Sequence, residues 1–193
     1  MSQGGSSAPF VLNLPNVLTL SRIVLVPVFA VALLIENGTN PWWRLAAFAI
    51  FAIAAVTDRI DGDLARKRGQ VTEFGKLMDP IADKALIGAA LFGLSWLGEL
   101  PWWVTAVIVF REAAITIMRL IVLRHGVIAA SRGGKAKTVF QVCALALFIF
   151  PLYVLIDWAG PVRWTFLVIA LLLTVGTGLD YAMQAFRARA ARA

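Results

Sequence analysis

Six of the eleven acidic residues, Asp58, Asp61, Asp63, Glu73, Asp79 and Asp83, fall within one 26-residue stretch. Four have helical spacing. Asp58 and Asp61 are three apart, and Asp79 and Asp83 are four apart, so each pair shares one face of a helix. A short connection through Gly69 makes the two helices antiparallel neighbours, and the four carboxylates can then converge. Carboxylates gathered at low dielectric repel and need protons or a cation to coexist. Arg59 and Lys84 are near in sequence but lie on other helix faces. A bound divalent cation is the better solution, and all-oxygen donors select Mg²⁺ or Mn²⁺ over Zn²⁺. Two such ions can clamp a diphosphate and stabilise a leaving phosphate. Gly62 and Gly75 allow close approach of a ligand, and Arg66, four residues after Gly62, can reach a phosphate. Helix capping is the alternative, and Asp79 before Pro80 suits it. It does not account for four acids on two faces.

The elements that must position these acids are apolar. Of 193 residues, 60% are hydrophobic and 15% charged, against roughly 45–50% and about 25% in soluble domains. Apolar segments at 17–35, 44–66, 79–98, 102–123, 137–157 and 162–185 are each near the ~20 residues that cross a bilayer. Breakers separate them: Glu36-Asn37-Gly38-Thr39-Asn40-Pro41, Gly69, Gly98-Glu99-Leu100-Pro101, Gly133-Gly134 and Gly160-Pro161. No ten-residue alternation of a transmembrane barrel is present. The expected fold is an all-α integral membrane protein with six transmembrane helices. A Gly/Ser-rich tail over 1–12 reads as disordered and not as a signal peptide. A single domain covers 13–186, and a basic tail covers 187–193.

Charge sets the direction. Arg66, Lys67, Arg68 and Lys76, then Arg124, Arg132, Lys135 and Lys137, then Arg187, Arg189 and Arg192 fall on the side of the termini. The other side has little beyond Arg44 and Arg163. Both termini and the aspartates are therefore expected in the cytoplasm, the chain being a multi-pass protein of the cell membrane. The net charge of +7 fits this bias and anionic headgroups, and no nucleic-acid partner is inferred from it. Six tryptophans, Trp42, Trp43, Trp102, Trp103, Trp158 and Trp164, gather near the opposite ends, as an interfacial belt does. Cys143, the only cysteine, excludes an intrachain disulfide and reads as a packing residue. His125, the only histidine, reads as an interfacial loop residue.

The run Asp58-Arg-Ile-Asp61-Gly62-Asp-Leu-Ala65-Arg66, followed at the correct spacing by Gly75, Asp79 and Asp83, resembles the full signature of the CDP-alcohol phosphotransferases. All eight fixed positions match. The resemblance implies that Asp58, Asp61 and Asp79 ligate metal with Asp83 near it, and that Asp83 is the base deprotonating an acceptor alcohol. It implies that Gly62, Ala65, Arg66 and Gly75 shape the CDP site, and that the protein is a homodimer. A CDP-linked lipid such as CDP-diacylglycerol would then lose CMP to an attacking hydroxyl. Direct displacement is expected, because no Ser, Cys or His nucleophile accompanies the aspartates.

A second constellation is cationic. Arg111 and Glu112 interrupt the fourth segment, Arg119 follows eight residues after Arg111, Lys135 and Lys137 open the fifth, and Arg22 lies about one turn into the first. Charges within spans are costly, so Arg111 is expected to face the bundle interior and find a partner. Glu112 projects about 100° away and is expected to pair elsewhere, with a lysine of the fifth span as candidate. For Lys135 and Lys137, anchoring at the cytoplasmic interface is an equal reading. A basic pocket beside the aspartates implies an anionic acceptor. Glycerol 3-phosphate and inositol phosphate both fit, and physics alone does not separate them. The runs Asn13-Leu-Pro15-Asn16-Val-Leu-Thr19-Leu-Ser-Arg22, Arg111-Glu112 and Gly134-Lys135-Ala-Lys137-Thr138 resemble the branch of the family that uses glycerol 3-phosphate. That similarity implies that Asn16, Thr19 and Arg22 also line the site. A non-enzymatic cation carrier is the reading from another class. It needs an acidic path to the far side, where only Glu36, Glu99 and Asp157 stand, all at span ends. A basic membrane scaffold would leave the aspartates unexplained.

Overall fold

A computed structural model describes the backbone of residues 14–68, 73–123, 132–151 and 159–190, and the side chains of 20–57, 81, 82, 84–117, 136–151, 160–180 and 183. Helices are joined by short turns, with no strand among the described residues. α1 is Leu14–Leu34, α2 Pro41–Arg68, α3 Glu73–Trp96, α4 Trp102–Leu123, α5 Arg132–Ile149 and α6 Ala159–Ala190. A helix satisfies its own backbone polar groups, which hydrocarbon requires. The expected tail 1–12, Gly69, Arg124, His125 and Asp157 lie outside the described residues, as does 191–193 of the expected tail 187–193, whose first four residues continue α6.

Two of the helix ends have identifiable causes. After α1 the chain makes a tight 3₁₀ turn, Ile35–Gly38, in which Glu36, Asn37 and Gly38 have φ of 53°, 52° and 66°. The Asn40 side chain then accepts the backbone N–H of Trp42 at 2.9 Å and caps α2, with Pro41 at its first position. At the end of α3, Gly98 has φ of 74°. Its N–H donates to Ser95 O at 3.1 Å, and that of Glu99 to Leu94 O at 3.0 Å, the paired bonds of a Schellman cap.

Helix boundaries differ from the expected segments in informative ways. α3 begins at Glu73, not near Asp79. Asp79 is therefore inside the helix and is not its cap. The polar turns 73–78 extend α3 beyond the apolar run by which the segment was recognised. Gly133 and Gly134, expected as a break, lie in the first turn of α5, and Gly160 and Pro161 in that of α6. A proline costs little there because first-turn N–H groups have no intrahelical partner. α5 ends at Ile149, before Phe150 and Pro151, not at 157.

α1 packs along both α2 and α3, α5 packs along α6, and α2 touches α3. Adjacent α2 and α3 are thus neighbours as expected, with α1 the larger neighbour of each. The core is built from Phe29, Leu33, Phe51, Leu91, Leu94, Phe148 and Leu167, among others. At Gly93 a Cβ would lie 2.6 Å from Leu33 Cδ2, so the missing side chain lets α1 and α3 close together.

The periphery is also apolar. Leu20–Gly38 and Gly160–Asp180 are long and apolar enough to cross a membrane, and only 22% and 17% of their most apolar 18-residue stretches are buried. A core helix of a soluble protein would be mostly buried. Val24, Val28 and Val31 on α1, Ile53 and Val56 on α2, Phe110 on α4 and Leu172 and Leu179 on α6 are all exposed. Apolar surface of this extent calls for a lipid environment. Trp42, Trp43, Trp102, Trp103 and Trp164 are exposed at the beginnings of α2, α4 and α6; Trp158 lies outside the described residues.

Those same ends meet in one ion-pair cluster. Arg44 of α2 has no exposed surface. It donates to Glu99 Oε1 at 2.6 Å and Oε2 at 3.0 Å, and to the carbonyls of Phe148 at 2.6 Å and Ile149 at 3.0 Å. Arg163 of α6 lies 3.7 Å from Glu99 Oε2, and its guanidinium is 4.9 Å from the centre of the Phe148 ring. The starts of α2 and α6 thus lie together with the ends of α3 and α5, the arrangement of an up-and-down bundle.

Candidate active site

The aspartates belong to the opposite ends of these helices. α2 runs without interruption through Asp58, Asp61, Gly62, Ala65 and Arg66, and α3 through Gly75, Asp79 and Asp83. Their side chains lie outside the described residues, as do those of Asn16, Thr19, Arg119 and Lys135. Helical register nevertheless locates the positions. The buried stripe of α2 is Arg44, Ala47, Phe51 and Ala54, and Asp58, Asp61 and Ala65 take the next places at three- and four-residue steps. On α3 the buried stripe is Ala82, Leu86, Ala90 and Leu94, which Asp79 and Asp83 join in the same way. Both acid pairs therefore continue stripes that are buried further along their helices. Four carboxylates at such positions are a donor set suited to a hard divalent cation. Among the described residues no other group of metal-ligating side chains is assembled.

The cationic half is described in detail. Arg22 on α1 and Lys137 on α5 are both buried. Arg111, on α4, is largely buried as expected, with a side-chain exposure of 14%. It donates to Glu112 Oε1 at 2.7 Å and to Thr177 Oγ1 of α6 at 2.6 Å. Lys137 also donates to Glu112 Oε1. The expected divergence of Arg111 and Glu112 is therefore corrected. The guanidinium is long enough to fold back onto its sequence neighbour, and Glu112 pairs with both Arg111 and the lysine of α5. Burial removes interfacial anchoring as the explanation of Lys137. A Cβ at Gly178 would lie 3.4 Å from Arg111 Cγ, so α6 presents its backbone closely to this arginine.

Several contributors escaped the sequence reading. Lys84 reaches across to the Thr116 hydroxyl of α4, which itself donates to the Glu112 carbonyl at 2.7 Å. Thr177 was passed over as one more residue of an apolar segment, although a polar side chain within a span was a usable signal. Lys84, Glu112 and Lys137 border a cavity of about 290 Å³ between α3, α4 and α5, whose other wall includes Leu91, Phe92 and Ile108. One end of the cavity is charged and the other apolar.

Comparison with known proteins identifies the family. The sequence model of CDP-alcohol phosphatidyltransferases matches residues 12–176, and the chain belongs to that family. It is a transferase of phospholipid biosynthesis. A "Probable phosphatidylglycerophosphate synthase" of Mycobacterium tuberculosis is 53% identical over 178 residues, covering 91% of this chain and 82% of that protein. A CDP-diacylglycerol–glycerol-3-phosphate 3-phosphatidyltransferase of Bacillus subtilis is 40% identical over 183 residues, covering 88% and 93%. A cardiolipin synthase (CMP-forming) of Streptomyces coelicolor is 37% identical over 152 residues, covering 78% and 68%.

Proposed function

We propose that the chain transfers a phosphatidyl group from CDP-diacylglycerol to glycerol 3-phosphate, giving phosphatidylglycerol phosphate and CMP. The observation that carries the choice of acceptor is the convergence of Arg111 and Lys137, two largely buried cations, on Glu112, which with Lys137 borders a cavity. Such a pair suits a phosphate monoester and offers little to a neutral alcohol. The names of the M. tuberculosis and B. subtilis relatives support the same reaction.

In this reading the acceptor hydroxyl attacks the lipid-side phosphorus. A new P–O bond forms as the bond to the CMP phosphate breaks, and the hydroxyl proton passes to Asp83. Asp58, Asp61 and Asp79, with Asp83 beside them, hold Mg²⁺ or Mn²⁺. When bound, the metal, two ions in this reading, offsets the charge of the diphosphate and its leaving phosphate. Gly62, Ala65, Arg66 and Gly75 shape the CDP site, with Asn16, Thr19 and Arg22 of α1 at its border. Arg111, Arg119, Lys135 and Lys137 hold the acceptor's phosphate.

The six helices span the cell membrane with both termini and the aspartates on the cytoplasmic side. The bias of Lys and Arg supports that direction, and the exposed tryptophans support the position of the span ends. Residues 13–186 form the one catalytic domain between the two tails, and two copies associate as a homodimer among membrane lipids.

Purified protein given CDP-diacylglycerol and Mg²⁺ is expected to release CMP only when glycerol 3-phosphate is added. Equal or greater release with inositol phosphate, inositol or serine would reassign the acceptor within the family. Phosphatidylglycerol belongs in the same assay, because the S. coelicolor relative is named as a cardiolipin synthase. Metal flux into proteoliposomes with no CMP release would turn the reading to a cation carrier.

A further inference from the structure

Arg111 and Lys137 are not waiting as bare charges. Both meet Glu112, and both described contacts fall on the same oxygen, Oε1. The carboxylate is the more accessible partner, at 26% exposed against 14% for Arg111 and 5% for Lys137. It also borders the cavity between α3, α4 and α5. Two largely buried cations without a counter-ion would each carry a large desolvation cost. One carboxylate shared between them brings one negative charge against two positive ones. A phosphate monoester carries nearly two negative charges at neutral pH, so it can match both cations where Glu112 brings a single charge.

We propose that Glu112 is a resident counter-ion, which holds Arg111 and Lys137 in place while the acceptor site is empty and is displaced from them by the acceptor's phosphate. This rests on the assignment of these cations to the acceptor. Glu112 is then a positioning and specificity residue and takes no part in the bond-making step. An anion of two charges displaces it. A neutral alcohol meets a site that is already largely neutralised and gains nothing by entering, so discrimination comes from a built-in competitor as well as from attraction. The cavity supplies the room into which the carboxylate swings. The Thr177 hydroxyl keeps its bond to Arg111 Nη2 and fixes the guanidinium during the exchange.

The test is a KM-against-kcat comparison with a thermal-shift measurement beside it. Glu112→Gln removes the competing charge and keeps the shape. Its KM for glycerol 3-phosphate is expected to fall roughly tenfold, the scale of one charge-assisted hydrogen bond, with kcat within about twofold. Without ligand the variant is less heat-stable than the parent, and inorganic phosphate raises its unfolding temperature by more than it raises the parent's, because the anion fills a vacancy that Glu112 otherwise fills. Glu112→Asp, with charge kept and reach shortened, gives an intermediate KM. It serves in place of Glu112→Gln if that variant does not fold. An unchanged or raised KM in a folded variant overturns the proposal, as does a phosphate-induced shift no larger than the parent's. The phosphate measurement needs no turnover. If the parent fails to release CMP with glycerol 3-phosphate, the acceptor assignment fails, while the larger phosphate shift still decides whether Glu112 competes with anions.

Discussion

The molecule contains the same ionic unit twice, once where helix ends meet and once inside the bundle, midway along α4. At the first Glu99 lies between Arg44 and Arg163, and at the second Glu112 lies between Arg111 and Lys137. Composition does not tell them apart; the way each carboxylate is engaged does. Glu99 engages Arg44 through both oxygens, and Arg44 fills its other donors with the last carbonyls of α5. Those carbonyls are orphans of a helix C-terminus that would otherwise be buried without partners. Arg44 thus donates from Nε and from both Nη atoms, and the unit holds four helix ends together. Around Glu112 both cations share one oxygen, a cavity adjoins, and the carboxylate is the part that can leave. A carboxylate engaged through both oxygens makes a fastening, and one shared oxygen beside open space makes a site.

Substitutions can break or sharpen this contrast. The largest effect is expected at the chemical end. Asp83→Asn should lower turnover by roughly 10²–10⁴-fold, the worth of a general base, with heat stability and metal binding largely kept. Asp58→Asn and Asp79→Asn should weaken metal binding as well, as measured by titrating Mg²⁺ or Mn²⁺ against activity. Chelation of the parent should stop CMP release, and re-addition of either ion should restore it. Near-normal rates in all three variants would remove the aspartates from the mechanism.

In the Glu99 unit, Arg44→Met leaves Glu99 with Arg163 3.7 Å away and leaves two helix-end carbonyls without this donor. Loss of one partner from such a buried pair costs about 3–5 kcal/mol. The variant should unfold at markedly lower temperature in detergent, while the molecules still folded keep the parent KM. A raised KM without loss of stability would mean the two units are not distinct in role. Lys137→Met tests the converse. KM for glycerol 3-phosphate should rise roughly 10- to 100-fold, with a smaller stability change because Arg111 still holds Glu112. The smallest effect is expected in the turn after α1. Asn37→Gly relieves a φ of 52°, a gain of about 0.5 kcal/mol once the entropy of glycine is subtracted, read as a slight rise in unfolding temperature.

Much of this was legible in the sequence because it is local. Six apolar runs mark the helices, Gly98 marks the end of α3, and the spacing of Asp58, Asp61, Asp79 and Asp83 declares shared faces. The start of α3 was misplaced because polar turns beyond an apolar run carry no hydrophobic signal. The end of α5 was placed too late because apolar residues continue past Ile149 while Pro151 ends the helix. Arg44 was counted only as a charge on the side opposite the termini, since its partners stand 55, 104 and 105 positions away. Thr177 and Lys84 matter only through residues on other helices. The pairing of Glu112 with Lys137 was anticipated, but its simultaneous hold on Arg111 depends on side-chain reach, which spacing does not encode.

The Arg44 cluster also bears on how the protein is made. A ribosome delivers α2 long before the residues that satisfy it. When Arg44 emerges, Glu99 does not yet exist, and the carbonyls of Phe148 and Ile149 come later still. The guanidinium lies in the first turn of α2, where a long stem can keep its charge in interfacial water until partners arrive. Synthesis of α3 brings the first of them, completion of α5 the next, and Arg163 comes last. Closure of this end of the bundle is thereby deferred until nearly the whole chain has been inserted. A chain truncated before α5 would carry an arginine that the finished protein hides completely, a mark by which cellular quality control can tell an unfinished copy from a finished one.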